Sequence, residues 1–228
     1  GVDRRRRVAR VLRFVPGSEI DYSRSTKPLR QCVGRTAARL SLALVGFEHP
    51  AATRPHRWDL RRAPMLMTHL NDVDDPSSRD AAGHVLDVFR SQVAGPLDRT
   101  PFQAVHGDLN GHNLLFRSSG SKTRMGIVDF GDVIRTARVV ELAVAAAYAA
   151  DATIDSPDPW AGVQDVVDGY LQVRPLAAEE LRLVPDLVRT RLAQKVVLHS
   201  RMSRQCPSNA AYLGRSLQSA SHALTTLL

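Results

Sequence analysis

The stretch AVHGDLNGHNLLF, residues 104–116, sets a histidine, an aspartate and an asparagine in one short loop between two apolar runs. Asp108 and Asn113 are five residues apart, and sixteen residues further on comes VDFGD, carrying Asp129, Phe130, Gly131 and Asp132. Phosphoryl transfer from ATP needs such a set. One carboxylate must accept or orient the proton of an attacking hydroxyl, while an amide oxygen and a second carboxylate hold a metal against the phosphates. Magnesium takes hard oxygen ligands and keeps several waters, so one Asp and one Asn suffice. A lone HxD would be an ordinary polar turn; the full H-x-D-x-x-x-x-N followed by D-F-G is far more specific.

The arrangement resembles the catalytic loop and DFG segment of the protein-kinase-like superfamily. With Gly107 after the histidine, it is closer to the aminoglycoside phosphotransferase and choline kinase branch, whose loop reads H-G-D-x-x-x-x-N. RVLRFVPGSEI, GFEHPAATRPHRWDL and GIVDFGDV are similar to the hydroxylysine kinase group of that branch. The likeness runs from about residue 8 to residue 200. It implies Asp108 as catalytic base, Asn113 and Asp129 as magnesium ligands, and His106 as a brace between the loop and the segment of Phe130 and Gly131. ATP is the implied phosphate donor, and the acceptor is a small hydroxylated amine such as hydroxylysine, an aminoglycoside, choline or homoserine. Asp132 is a candidate for the metal or a cationic substrate, with turn capping as the alternative. Asp59 is a candidate for a substrate ammonium, with pairing to Arg57, Arg61 or Arg62 as the alternative. Trp58 reads as core. Glu141 reads as structural, bound to backbone amides or to an arginine such as Arg191.

The elements that must position these groups follow from periodicity. RVARVLRFVPG reads as a strand ending at the Pro16-Gly17 turn. Apolar residues recur at helical spacing from Pro28 to Val45, and again from Pro76 to Val93, where Gly95-Pro96 should stop the helix. QAV and NLLF are short strands, residues 117–124 a hairpin turn, and MGIVDF a third strand. The loop between the first two is expected to present Asp108 and Asn113 at one end of a strand pair. VVELAVAAAYAA begins a buried helix, Asp158-Pro159 caps another, and two more span roughly 177–203 and 209–227, with Pro185 kinking or dividing the former. The fold class is α+β, mostly helical: the C-terminal lobe of a protein-kinase-like fold, with a small β-hairpin cluster at the active site.

Kinases of this shape also have an N-terminal sheet, a glycine-rich loop over the phosphates and a strand lysine before the hinge. The three lysines are Lys27, Lys122 and Lys195, and none precedes RFVPG. The expected organisation is therefore residues 1–17 as a remnant strand and hinge and residues 18–228 as the catalytic lobe, with the N-terminal lobe truncated or carried elsewhere. The chain has no initiator Met and reads as a fragment or processed product.

Composition narrows the alternatives. Apolar residues make up 43% of the 228, enough for a buried core. No run reaches the roughly 18 apolar residues of a membrane span, and no signal peptide is evident. The cysteines, Cys32 and Cys206, match no metal spacing and suit a reducing cytoplasm. The net charge of +8 comes from arginines spread along the sequence, with no aromatic residues interleaved for nucleic-acid stacking. A nucleic-acid partner and a membrane are therefore not expected. The main alternative to a phosphotransferase is a catalytically inactive lobe that serves as a binding module or is a degenerate gene product.

Overall fold

A computed structural model describes residues 11–119 and 122–228. In chain order the elements are β1 (Ser18–Glu19), α1 (Lys27–Ala43), a long 3-10 segment (Leu60–Asp72), α2 (Pro76–Val88), α3 (Ala94–Asp98), β2 (Phe102–Val105), β3 (Leu114–Ser119), β4 (Lys122–Ile127), β5 (Ile134–Ala137), α4 (Val139–Ala149), α5 (Ala161–Leu171), α6 (Ala178–Gln205) and α7 (Ala210–Thr226). The protein is mostly helical, with two small antiparallel sheets. One has the order β1-β3-β4 and the other pairs β2 with β5.

The core forms around α4. Apart from Glu141 and Tyr148 its residues are apolar, and Val139, Val140, Leu142 to Ala147 and Ala149 are all buried. A helix without a polar face must be covered all round, and α1, α5 and α6 pack against it. α1 and α5 meet closely because each offers a glycine. A Cβ built on Gly34 would lie 2.0 Å from the Val166 carbonyl oxygen, and one on Gly169 would lie 2.1 Å from that of Gln31. The same seam carries a buried ion pair, with Arg30 donating from Nε (2.9 Å) and Nη2 (2.7 Å) to Asp165. Gly34→Ala is therefore expected to push the two helices apart and destabilise the fold by about 1–3 kcal/mol. Thermal melting checks this: an unchanged melting temperature would mean the seam yields without cost.

Several elements depart from the sequence reading. Residues 11–17 form no strand; only Ser18–Glu19 pairs, with Phe116 and Leu115. The remainder of that expected strand, residues 1–10, lies outside the described residues. A strand needs a ladder partner, and Val11, Leu12 and Phe14 stay exposed. Gly95-Pro96 does not end the second helix. A wide π turn at Phe89–Val93 resets the hydrogen-bond ladder, so Pro96 falls in the first turn of α3, where no amide donor is needed. The hairpin turn is shorter than 117–124, since the ladder runs on to Ser119 opposite Lys122. MGIVDF is strand only as far as Ile127. Pro185 does not divide α6; it sits on the exposed face. β5 is an additional strand, paired from Phe102 opposite Ala137 to Val105 opposite Ile134.

Candidate active site

β2 and β3 flank the HGD loop but are not partners. β2 pairs with β5 and β3 with β4. The expected strand pair around the loop is thus replaced by two connectors between the same two sheets. Residues 106–113 lead from β2 to β3, and residues 128–133 lead from β4 to β5. Because the strands at both ends are paired, the connectors run side by side, and Asp129 comes to lie next to the loop. The Val128 amide donates to the Asn113 carbonyl (3.1 Å), tying the connectors together.

His106 braces this junction. It is fully buried, its Nε2 lies 3.0 Å from the Val128 carbonyl, and its ring meets Phe130 edge-on at 5.0 Å. Burial lowers its pKa, which keeps the ring neutral with the proton on Nε2, donated to Val128. Glu141 on α4 holds the loop from beneath: its Oε2 accepts from the His106 amide at 2.5 Å. Full burial pushes that carboxyl up to about 8. Gly107 has φ of 78°, the left-handed region that only glycine adopts freely, and a Cβ there would lie 3.3 Å from the Asp132 carbonyl. From the other side Arg54 donates to the carbonyls of Gly131 (2.6 Å) and Val133 (2.9 Å), fixing the returning segment.

Asp108 is held at four points. Its Oδ1 accepts from Arg191 Nη2 (2.6 Å) and Tyr148 Oη (3.2 Å). Its Oδ2 accepts from Asn110 Nδ2 (2.8 Å) and Asn113 Nδ2 (3.2 Å). Those are about the four lone-pair directions a carboxylate has. A further donor to this carboxylate therefore has to take over one of the two long contacts, from Tyr148 or Asn113. The Asn113 amide nitrogen also donates to the Asp108 carbonyl (2.8 Å), so the amide oxygen is the atom left for a cation. Asp129 stands in the left-handed conformation (φ 59°) with its Oδ1 accepting from the Gly131 amide (3.2 Å).

Among the described residues no group of three or more His, Cys, Asp or Glu is placed to hold a metal. The donor set suits magnesium all the same. Asn113 and Asp129 offer hard oxygens at the junction of the two connectors, and magnesium completes its shell with water and phosphate rather than with a protein cage.

The sequence pattern of the phosphotransferase enzyme family matches residues 2–183. The chain belongs to that family. It is 30% identical over 217 residues to hydroxylysine kinase of Mus musculus, an alignment that takes in 90% of this chain and 57% of the relative. The chain thus spans somewhat more than half the length of that protein. Among solved structures, a microcompartment-associated aminopropanol kinase superposes with a TM-score of 0.63 at 20% identity, over 92% of this chain and 64% of its own. An amicoumacin kinase, solved with AMP-PNP and Ca2+, gives a TM-score of 0.62 at 15% identity, over 93% and 63%. These likenesses establish a kinase-like phosphotransferase fold.

The side chains that complete the site come from far along the chain. Arg191 on α6 is fully buried. Besides Asp108 it reaches Gln194 Oε1 (3.1 Å), and it lies 4.5 Å from the Trp58 ring centre. Arg191 therefore partners Asp108 and not Glu141, and Trp58 is only half-buried, against the arginine. Beyond Asp108 opens a cavity of about 550 Å3, lined among others by Tyr22, Trp58, Tyr148, Asp151, Lys195 and His199. Asp132 and Asp59 do not line it. Asp132 pairs with His56 Nε2 (3.1 Å), and Asp59 caps the 3-10 segment by accepting from the Arg61 amide (3.1 Å). The Arg61 side chain goes instead to Asp98 (3.2 Å). Among the described residues no helix is long and apolar enough to cross a membrane.

Proposed function

We propose that the chain carries the catalytic lobe of an enzyme that transfers the γ-phosphoryl group of ATP to a hydroxyl of a small amine-bearing acceptor, hydroxylysine-like or aminoglycoside-like. The observation that carries this is the Asp108 carboxylate, oriented by four hydrogen bonds at the floor of a cavity and beside Asn113. The acceptor sits in the cavity with its hydroxyl hydrogen-bonded to Asp108. As the new O–P bond forms, the bond from the γ-phosphorus to the bridging oxygen breaks, ADP leaves, and the hydroxyl proton passes to Asp108. Asn113 and Asp129 would hold magnesium, which neutralises charge on the phosphates. Tyr148 and Arg191 keep Asp108 in place while the hydroxyl displaces one of the longer contacts. The half-buried aromatic walls and the acidic Asp151 suit an organic ammonium.

The test is ADP release with magnesium and ATP over a panel of hydroxylated amines, beside calorimetric titration of ATP with and without magnesium. Asp129→Ala is expected to remove magnesium-dependent nucleotide binding, because it deletes a negative charge. Asn113→Ala, which deletes only a dipole, should weaken it roughly tenfold, in line with the ~1–1.5 kcal/mol of a neutral polar contact. Equal losses, or affinity indifferent to magnesium, would overturn the metal roles. Nucleotide binding without transfer to any acceptor would favour the inactive binding module.

A further inference from the structure

Lys195 is one of three lysines in the chain and is buried, with 4% of its surface exposed. Lysine is rarely buried without a partner. Yet among the described residues Lys195 makes no hydrogen bond and no ion pair; its Nζ rests 4.4 Å from the Tyr148 ring centre. It lines the same cavity as Asp108. Other polar atoms at this end are also unpartnered among the described residues: the Tyr22 hydroxyl and His199 Nδ1. Asp151, which lines the cavity too, accepts from Ser219 Oγ (2.7 Å), leaving its second oxygen for a ligand.

A mostly buried lysine is costly to hold without a direct ion-pair partner; Asp151 favours its charge from beyond ion-pair range, and a ligand can supply the direct partner. Asp108 cannot serve, since its oxygens are taken by Arg191, Tyr148, Asn110 and Asn113. We infer that Lys195 is a specificity residue that selects acceptors bearing a carboxylate as well as an amine, and that Asp151 receives the ammonium of the same zwitterion. The inference rests on the phosphotransferase reading of this cavity and narrows it: a hydroxy amino acid is favoured, and a polycationic aminoglycoside, with no anion to offer, is disfavoured.

The environment of Lys195 gives the selection a pH dependence. Desolvation pushes its ammonium down to about 8. Acting on it are Asp108 from the loop, Tyr148 and Asp151 from the end of α4 and the turn after it, and Arg191 and His199 from its own helix, while Glu19, Asp21 and Tyr22 from the N-terminal segment, His112 from the loop and Arg215 from α7 line the same cavity. Only the protonated lysine binds a carboxylate. Affinity is thus full below about 8 and falls as pH rises through it. Lys195→Arg, always charged, should hold its affinity across that range.

Calorimetry on the full chain, without nucleotide, tests the inference using hydroxylysine, its methyl ester, kanamycin and inorganic phosphate. Hydroxylysine is expected to bind the parent about 10- to 100-fold more tightly than the ester, the usual weight of a charge-assisted contact. Lys195→Met should erase that advantage while leaving the ester's affinity nearly unchanged, and thermal melting confirms that the variant is folded. The inference is overturned if ester and acid bind the parent equally, if Lys195→Met does not discriminate, if none of the ligands binds, or if only inorganic phosphate depends on Lys195. A parallel ADP-release assay separates the two readings. Lys195-dependent hydroxylysine binding without phosphorylation would sink the proposed reaction and leave this inference standing, whereas phosphorylation of kanamycin independent of Lys195 would do the reverse.

Discussion

Asp108→Asn is expected to lower turnover by about 100- to 10,000-fold, the range that general-base contributions span. The new side chain has the same size but cannot take the hydroxyl proton. The surroundings make the substitution harsher than an exchange of isosteres. All four groups now donating to Asp108 are N–H or O–H donors, two at each oxygen. An amide puts its own NH2 against one of those pairs whichever way it is turned. Facing Asn110 and Asn113 it strands two amide donors; facing Arg191 and Tyr148 it strands a guanidinium and a hydroxyl. A loss of about 1–3 kcal/mol of stability should therefore accompany the loss of rate. Steady-state kinetics and thermal melting of one preparation read both effects. Turnover near the parent's would remove Asp108 from the chemistry, and an unchanged melting temperature would contradict the hydrogen-bond geometry.

What the sequence disclosed about the site is what lies close together in the chain. His106, Asp108, Asn113 and Asp129 fall within twenty-four residues, and a short hairpin brings them back on themselves, so their spacing alone carries the signal. The general make-up of the fold was legible for a similar reason, because α1 and α5 announce themselves by local periodicity and α4 by an unbroken apolar run. Arg191, Tyr148 and Lys195 were not legible, since they meet Asp108 only once α4 and α6 have packed against each other. Tyr148 ends a helix so apolar that it reads as one more core residue. For Lys195 a signal did exist. It stands three residues after Leu192 and three before Leu198, both buried, so the helical repeat places it on the inner face, where a lysine needs a reason. β5 was missed because four residues with an arginine among them carry too short an alternation. It exists through its ladder with β2, which is a long-range fact. The failure at residues 11–17 is the converse: an apolar pattern there finds no ladder partner among the described residues, and it stays irregular.

Replacing Arg191 should produce the largest loss of stability of any single change at the site. The guanidinium is fully buried, and it joins the loop, α4 and the Trp58 segment through Asp108, Tyr148 and the indole ring. Arg191→Met keeps much of the packing volume but leaves the largely buried Asp108 carboxylate without its charged partner. Breaking a buried pair from one side costs about 3–5 kcal/mol, which in a chain of this size is a fall of roughly 6–20 °C in melting temperature. Arg191→Lys should recover only part of this, because an ammonium cannot reach Asp108, Tyr148 and Gln194 together as the planar fork does. Packing and charge are separated by a double-mutant cycle. If the pairing with Asp108 is what Arg191 supplies, Arg191→Met should cost markedly less in an Asp108→Asn background, where no carboxylate remains to be stranded, and the coupling should exceed about 1 kcal/mol. Equal cost in both backgrounds would mean that Arg191 acts by filling space between α6 and Trp58. Its influence on turnover would then have to run through the shape of the cavity and not through the orientation of Asp108.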